Sequence, residues 1–431
     1  MAKKKAKPAW YKLDNAGILY SAIQKEEYSA VYRFSAVLTE TVDPLALQRA
    51  VDACMPRFPG FAVRIKRGAF WYYFEPNDAP GPFVKPDVSS PCQPVRFQED
   101  NGWLIRFLYY EKRLSIEVFH ALSDGAGALV LFRTFLAAYL REVGHDVPYA
   151  GPGLLDLREP PLKEEREDAY ARYQGRRVLR GSWKGKAYQN MGTAEPFYTL
   201  NVTMGYLPVD KLKAVTRDLG VSITEYLTAV YMQVLLDKQH REKPARELPV
   251  ALAIPFNLRP WFPSRTLRNF IITIRPCIDP ALGEYRFEDI LRYVHNYMRM
   301  EQDVNRMRAT FTGNVKFQTN RVLGLIPVFL KNPIVALSYR LTGVAPYSGT
   351  YTNPGAFKVP PEMEPYLDRM EVILGQATLA RPHCASISCK NVMSITFAGT
   401  QEETETERDF FRFLVRAGIP VKVCSNRKGE N

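Results

Sequence analysis

Long apolar runs are scarce in this sequence. The longest, residues 322–341, is broken by Lys331-Asn332-Pro333 and also holds Pro327, so it falls short of the about 20 apolar residues a membrane-spanning helix needs. Histidine is rare, with 5 in the chain, and no cluster with metal-ligand spacing forms around them, so no metal is expected. The 6 cysteines (Cys54, Cys92, Cys277, Cys384, Cys389 and Cys424) include no CxxC pair. Cys384 and Cys389, five apart, would leave a strand on opposite faces, and free thiols in a reducing cytoplasm are expected. The basic N-terminus MAKKKAKPAW has no apolar segment behind it, and its second residue is Ala2, not the glycine that myristoylation needs; it reads as a solvated tail. A GxSxG elbow is missing, and so is every RRM, KH, zinc-finger or helix-turn-helix signature.

What is present is a chain of 431 residues, 46% hydrophobic and 24% charged. That is the composition of a soluble globular protein, long enough for about two domains. The formal net charge is +13. Nucleic acid, an anionic membrane surface or a polyanionic substrate such as a coenzyme A ester would each answer it. The basic residues are spread along the chain, with local clusters at 3–7, 172–186 and 265–268.

One stretch organises the rest. In residues 113–142, Leu114, Ile116, Val118 and His120 recur with a period of two and share a strand face, while Arg113, Ser115, Glu117 and Phe119 take the other. Ala121-Leu122-Ser123-Asp124-Gly125-Ala126-Gly127 breaks that period. Leu129, Phe132, Leu136 and Leu140 then return at helical spacing, closed by Gly144. Strand, tight turn and helix follow in order, and His120 stands where the sheet can fix an imidazole that faces open space. A histidine at the end of an apolar strand face more often serves the core than a reaction. An aspartate four residues on, followed by glycine, favours the second role.

Around this stretch the pattern predicts a strand at 30–38, a helix capped by Asp43 with Pro44 in its first turn, a hairpin at 61–74, a loop at 75–94 and a second hairpin, 103–110 with 113–119. Residues 151–196, rich in glycine, proline and charge, read as a crossover between two parts, 1–150 and 197–431. The second part predicts a strand at 198–207, a helix opened by the capping box Ser222-Ile223-Thr224-Glu225, strands at 248–254 and 271–278, and a helix at 287–307. It closes with a meander of strands at 370–377, 385–390 and 392–399, a helix at 403–417 and a strand at 420–424. His145, His240 and His295 fall in polar or charged surroundings, and His383 lies at a strand start.

His120-Ala121-Leu122-Ser123-Asp124-Gly125 resembles the HxxxDG motif of the chloramphenicol acetyltransferase-like superfamily of CoA-dependent acyltransferases and condensation domains. The pattern is nearest to its bacterial alcohol acetyltransferase-like members. Phe119 stands where many members carry a further histidine, and the DFGWG motif is absent. Pro255-Phe256-Asn257-Leu258-Arg259-Pro260 running on to Asn269-Phe270 is similar to the superfamily's second-lobe segment, with Arg268 in place of a glycine. Tyr351-Thr352-Asn353-Pro354-Gly355 resembles its Ser-Asn-x-Gly segment.

The resemblance implies an α/β fold of the α+β type: two lobes, each a mixed sheet with helices, and an active-site tunnel between them. It implies His120 as general base, Asp124, Gly125 and Arg259 as structural support, with Arg259 paired bidentately to Asp124, and Thr352, Asn353 and Gly355 at the channel or oxyanion region. Tyr347, Ser348 and Thr350 cluster beside them as further oxyanion donors. The expected reaction moves an acyl group from acyl-CoA to a hydroxyl or amine, with no bound cofactor and no covalent acyl-enzyme. An acyl carrier protein is the alternative donor, and a non-catalytic binding protein on the same fold is the rival reading. The expected protein is a cytoplasmic monomer without nucleic acid or a transmembrane segment, with peripheral membrane contact left open.

Overall fold

The computed structural model describes residues 10–178, 185–318, 325–376 and 381–427. The basic tail at 3–7 and part of the cluster at 172–186 lie outside them, as do 322–324 of the apolar run and residue 377. In chain order the first part runs β1 (Tyr11–Lys12), α1 (Asn15–Ile23), β2 (Val31–Leu38), α2 (Pro44–Cys54), β3 (Val63–Arg67), β4 (Tyr72–Pro76), β5 (Val84–Pro86), β6 (Ile105–Tyr110), β7 (Arg113–Phe119) and α3 (Gly125–Glu142). A short helix, α4 (Ala169–Tyr173), follows in the crossover. The second part runs β8 (Asn201–Pro208), α5 (Val209–Asp218), α6 (Ile223–Glu242), β9 (Val250–Asn257), β10 (Ile271–Ile274), β11 (Cys277–Ile278), α7 (Phe287–Glu301), α8 (Val304–Gln318) and α9 (Val328–Tyr339). It closes with β12 (Gly349–Thr352), β13 (Leu367–Leu374), β14 (His383–Cys389), β15 (Val392–Gly399), α10 (Glu405–Arg416) and β16 (Lys422–Ser425).

Local chemistry accounts for most boundaries. The Asp43 carboxylate accepts from Leu45 N at 2.8 Å and Pro44 opens α2, while Ser222 and Glu225 close their capping box on α6. The single helix expected at 287–307 is two helices, because Asp303 accepts from Arg306 N at 2.7 Å and starts a new one. The strand expected at 271–278 is broken at Arg275-Pro276, where proline offers no ladder donor. Helix α1, not expected from the sequence, is capped by Asp14 through Gly17 N at 2.7 Å. The crossover is less empty than its composition implies: Ala169 and Tyr170 of α4 are buried in the second core.

Beside a small sheet ordered β1-β4-β3, two larger sheets carry the described residues. The first is ordered β13-β2-β7-β6-β5; the second is ordered β10-β9-β12-β14-β15-β8-β16, with β11 also against β9. The predicted meander is therefore only the β14–β15 hairpin, because β13 leaves it and pairs antiparallel with β2, Leu374 opposite Tyr32. All eight residues of β2 are buried. Tyr32, Phe34 and Ala36 join a core with Leu47 and Val51 of α2 and Phe132 and Phe135 of α3. On the other face Arg33 is held by Glu117 at 2.7 Å and Asp87 at 2.8 Å, which satisfies charges that burial alone would penalise. A second core gathers Val230, Tyr231 and Leu235 of α6, Ile290 and Val294 of α7, and Phe397 and Phe410.

Within the apolar run, Val328–Tyr339 form α9, with Phe329, Leu330, Ile334 and Leu337 exposed. Among the described residues no single helix is long and apolar enough to cross a membrane.

Candidate active site

Strand β7 ends at Phe119, and His120 N donates to Ala30 O at 2.8 Å, so the residue is pinned beside the entry to β2. The turn after it is braced from both parts of the chain. Asp124 caps α3 through Gly127 N at 2.9 Å, and its second oxygen accepts from Phe270 N at 2.7 Å and from Arg259 Nη1 at 2.8 Å. Ser123 Oγ donates to Leu267 O at 2.5 Å, and Tyr32 Oη donates to Ser123 O at 3.0 Å. Gly127 is required by closeness: a Cβ there would stand 2.1 Å from Leu267 O. The loop between β9 and β10 thus reaches across and clamps the turn.

The pairing of Arg259 with Asp124 expected from the sequence is present, but it is not bidentate. Only Nη1 meets the carboxylate; Nε and Nη2 donate to Thr266 O at 3.1 and 3.0 Å, and Nη2 also to Arg268 O at 2.7 Å. The guanidinium is spread over the loop that carries it, because Asp124 already has backbone N–H partners on both oxygens.

Asn269 was legible only as half of a broken Gly-Asn pair, yet it governs the imidazole. Its Nδ2 donates to His120 O at 3.0 Å and faces both Asp14 carboxylate oxygens at 3.4 Å, which leaves Oδ1 as the acceptor, 3.1 Å from His120 Nδ1. An amide that donates on one side must accept on the other, so Nδ1 carries the proton and Nε2 keeps its lone pair. Tyr20 stacks on the ring at a centroid distance of 4.3 Å and Tyr32 meets it edge-on at 5.0 Å. Burial pushes the His120 pKa below its usual value, against the opposing pull of its own carbonyl, Asp124 and Asn269. The result is a neutral base at ordinary pH.

His120, Asp124 and Gly125 line a cavity of about 920 Å³ together with Tyr20, Phe34, Ile271 and Ile334. Thr350, Thr352 and Asn353 line it too, whereas Gly355 does not. Asn353 is occupied in bracing its own loop, donating to Thr224 Oγ1 at 3.1 Å and accepting from Gly355 N at 2.9 Å. Gly355 adopts φ +92°, which explains a glycine there. Ser348 Oγ accepts from Ala251 N at 3.1 Å behind the cavity wall. Thr350 and Thr352, which share one face of β12, line the cavity, and so does Tyr347. Away from this site His240 is exposed, while His145 stacks on Tyr366 at 3.7 Å instead of standing in solvent. His295 is half-buried beside Glu225 at 3.3 Å.

No protein-family model matches the sequence, and no curated protein matches it. Solved structures do. Polyketide synthase associated protein 5 from Mycobacterium tuberculosis is similar with a TM-score of 0.64 at 15% identity, over 94% of this chain and 96% of that one. F. graminearum TRI101, complexed with coenzyme A and T-2 mycotoxin, is similar at 0.62 and 11% identity, over 95% and 97%. The condensation domain from monacolin K polyketide synthase MokA is similar at 0.56 and 9%, over 95% and 96%. The chain shares the fold of these proteins over nearly the whole of its length and of theirs.

Proposed function

We propose that this protein transfers an acyl group from acyl-CoA to a hydroxyl or amine acceptor, with His120 as general base and no covalent acyl-enzyme. The observation that carries the reading is the 3.1 Å contact of His120 Nδ1 with Asn269 Oδ1 in the wall of the cavity, which supports an Nδ1–H tautomer with Nε2 as the basic nitrogen. In this scheme Nε2 takes the acceptor's proton as its oxygen or nitrogen attacks the thioester carbon. The oxyanion would be met by Tyr347, Thr350 or Thr352. Its collapse breaks the C–S bond, and the departing CoA thiolate recovers the proton from His120. Asp124, Gly125 and Arg259 would hold the turn and take no proton. Asn353 and Gly355 would shape the channel wall.

We assign residues 1–150 and 197–431 to the two lobes and 151–196 to the crossover, with β13 lent by the second lobe to the first sheet. Condensation domains among the similar structures keep a carrier-protein thioester as the alternative donor. A cytoplasmic monomer remains the working description.

The test is free-thiol release from a panel of acyl-CoA esters, with and without pooled alcohols and amines. Acceptor-dependent release should fall about 10²- to 10⁴-fold in His120→Ala. Equal rates in the two proteins would remove His120 from the reaction. Silence in both, with carrier-protein thioesters also tried, would leave the binding-protein reading.

A further inference from the structure

Arg33, Arg57, Arg268 and Arg381 are the buried arginines among the described residues. Three have carboxylates: Arg33 has Glu117 and Asp87, Arg57 has Glu165 at 2.7 Å, and Arg268 has Asp14 at 3.4 Å. Arg381, 4% exposed, has none. The neighbouring residues 377–380, Ala-Thr-Leu-Ala, carry no acidic side chain either. Its Nη1 donates to Gln189 Oε1, Val344 O and Tyr347 O. Among the described residues Nε has no acceptor, and the side-chain hydrogen bonds of Arg381 all come from Nη1, none from Nη2. Those two nitrogens form one edge of the guanidinium fork, the geometry that grips a carboxylate or phosphate with two parallel bonds.

Arg381 lines the same cavity as His120, and two more unsatisfied polar atoms lie on that wall: Nε2 of His383 and Oε1 of Gln376. A buried cation left without an anion is unfavourable, and three unsatisfied polar atoms on one cavity wall call for an explanation. The position relative to His120 follows from the sheet. His120 N bonds Ala30 O and Gly375 N bonds Val31 O, at 2.8 and 2.9 Å, so His120 and Gln376 flank β2 on opposite sides. Two strand spacings separate them by about 10 Å. Between them the cavity wall is apolar, with Val31, Tyr32, Val372 and Leu374.

We propose that the Arg381 end of the cavity is a receptor for one anionic group, a carboxylate or a phosphate, carried by an otherwise apolar substrate whose hydroxyl reaches His120. The reach to His120 rests on the acyl-transfer reading; the anion site does not.

Titration calorimetry tests it without turnover, using ω-hydroxydecanoate, its methyl ester, decyl phosphate and coenzyme A against wild type and Arg381→Gln. The acid or the alkyl phosphate should bind wild type at least about ten-fold more tightly than the ester, and Arg381→Gln should erase the difference. Which of the two anions binds tighter names the source. Equal binding of acid, phosphate and ester to wild type overturns the proposal, and needs no variant to fold. Loss of coenzyme A affinity alone in Arg381→Gln also overturns it, because the arginine would then serve the donor. Discrimination by a wild type that is inactive in thiol release keeps the anion site and removes only the acyl-transfer reading.

Discussion

Arg259, behind the turn that follows His120, and Arg381, in the wall of the cavity, are opposites. Arg259 is anchored to Asp124 and to two loop carbonyls, so its interactions are complete in the protein alone. Arg381 is more deeply buried, with one nitrogen satisfied and the edge beside it bare. The comparison separates a charge used to build a site from a charge held ready for something that arrives. Burial does not distinguish the two; only the accounting of partners does.

Breaking the pair at the built end should have the largest effect. Arg259→Met strands Asp124, 1% exposed, against the helix N-terminus, and removing one partner of a buried pair costs about 3–5 kcal/mol. Chemical denaturation should read it as a large fall in midpoint. A loss under about 1 kcal/mol would mean that the N–H groups of Gly127 and Phe270 suffice for the carboxylate.

Asn269→Ala acts next in size. One hydrogen bond to the Nδ1 proton is lost, and kcat should fall about ten-fold with KM little changed. A matching fall in KM-dependent binding would instead mark Asn269 as a general loop brace.

Acid titration sharpens the contrast at the other end. His383 is pushed down to about 3 from 6.5 by burial first and by Arg381 next. Between those values the unfolded chain binds a proton that the folded chain refuses, so stability falls as pH drops below 6.5. His120, lowered by burial, works in the same direction. The slope for each histidine is on the order of 1 kcal/mol per pH unit. Thermal unfolding between pH 7 and 5 should therefore decline more steeply in wild type than in His383→Gln; parallel curves would show that His383 does not resist protonation.

The smallest effect is expected where intuition places a large one. Arg381→Met in the unliganded protein removes an uncompensated charge, and its stability should change by no more than about 1 kcal/mol in either direction. A loss as large as that of Arg259→Met would show that Arg381 is structural and that the two arginines play the same part.

Period and spacing in the sequence carried the site's frame. The β7 alternation ending in His120 is a local pattern, whereas the pairing of Arg259 with Asp124, 135 residues apart, was expected only from the resemblance; the structure brings Asp124 and Arg259 together beside His120. Asn269 and Asp14 were not legible as partners of His120, because their roles depend on a contact across 149 residues for His120 with Asn269 and across 255 for Asn269 with Asp14. Arg381 was invisible for the opposite reason: its meaning lies in what does not surround it. The departure of β13 from its hairpin neighbours could not be read from alternation, which reports that a strand has a buried face but not which sheet supplies the cover.

That strand also sets an order of events during synthesis. The edge of β2 that Leu367–Leu374 covers emerges early, and its partner arrives more than three hundred residues later. At translation rates of about 5–20 residues per second, the interval is on the order of tens of seconds. Throughout it an apolar strand with all residues destined for burial presents bare N–H and C=O groups, a template for mispairing with other nascent chains. The N-terminal half is therefore a client of the C-terminal half before it can be a partner to it, and a fragment ending at residue 150 should accumulate as aggregate, not as a small folded lobe.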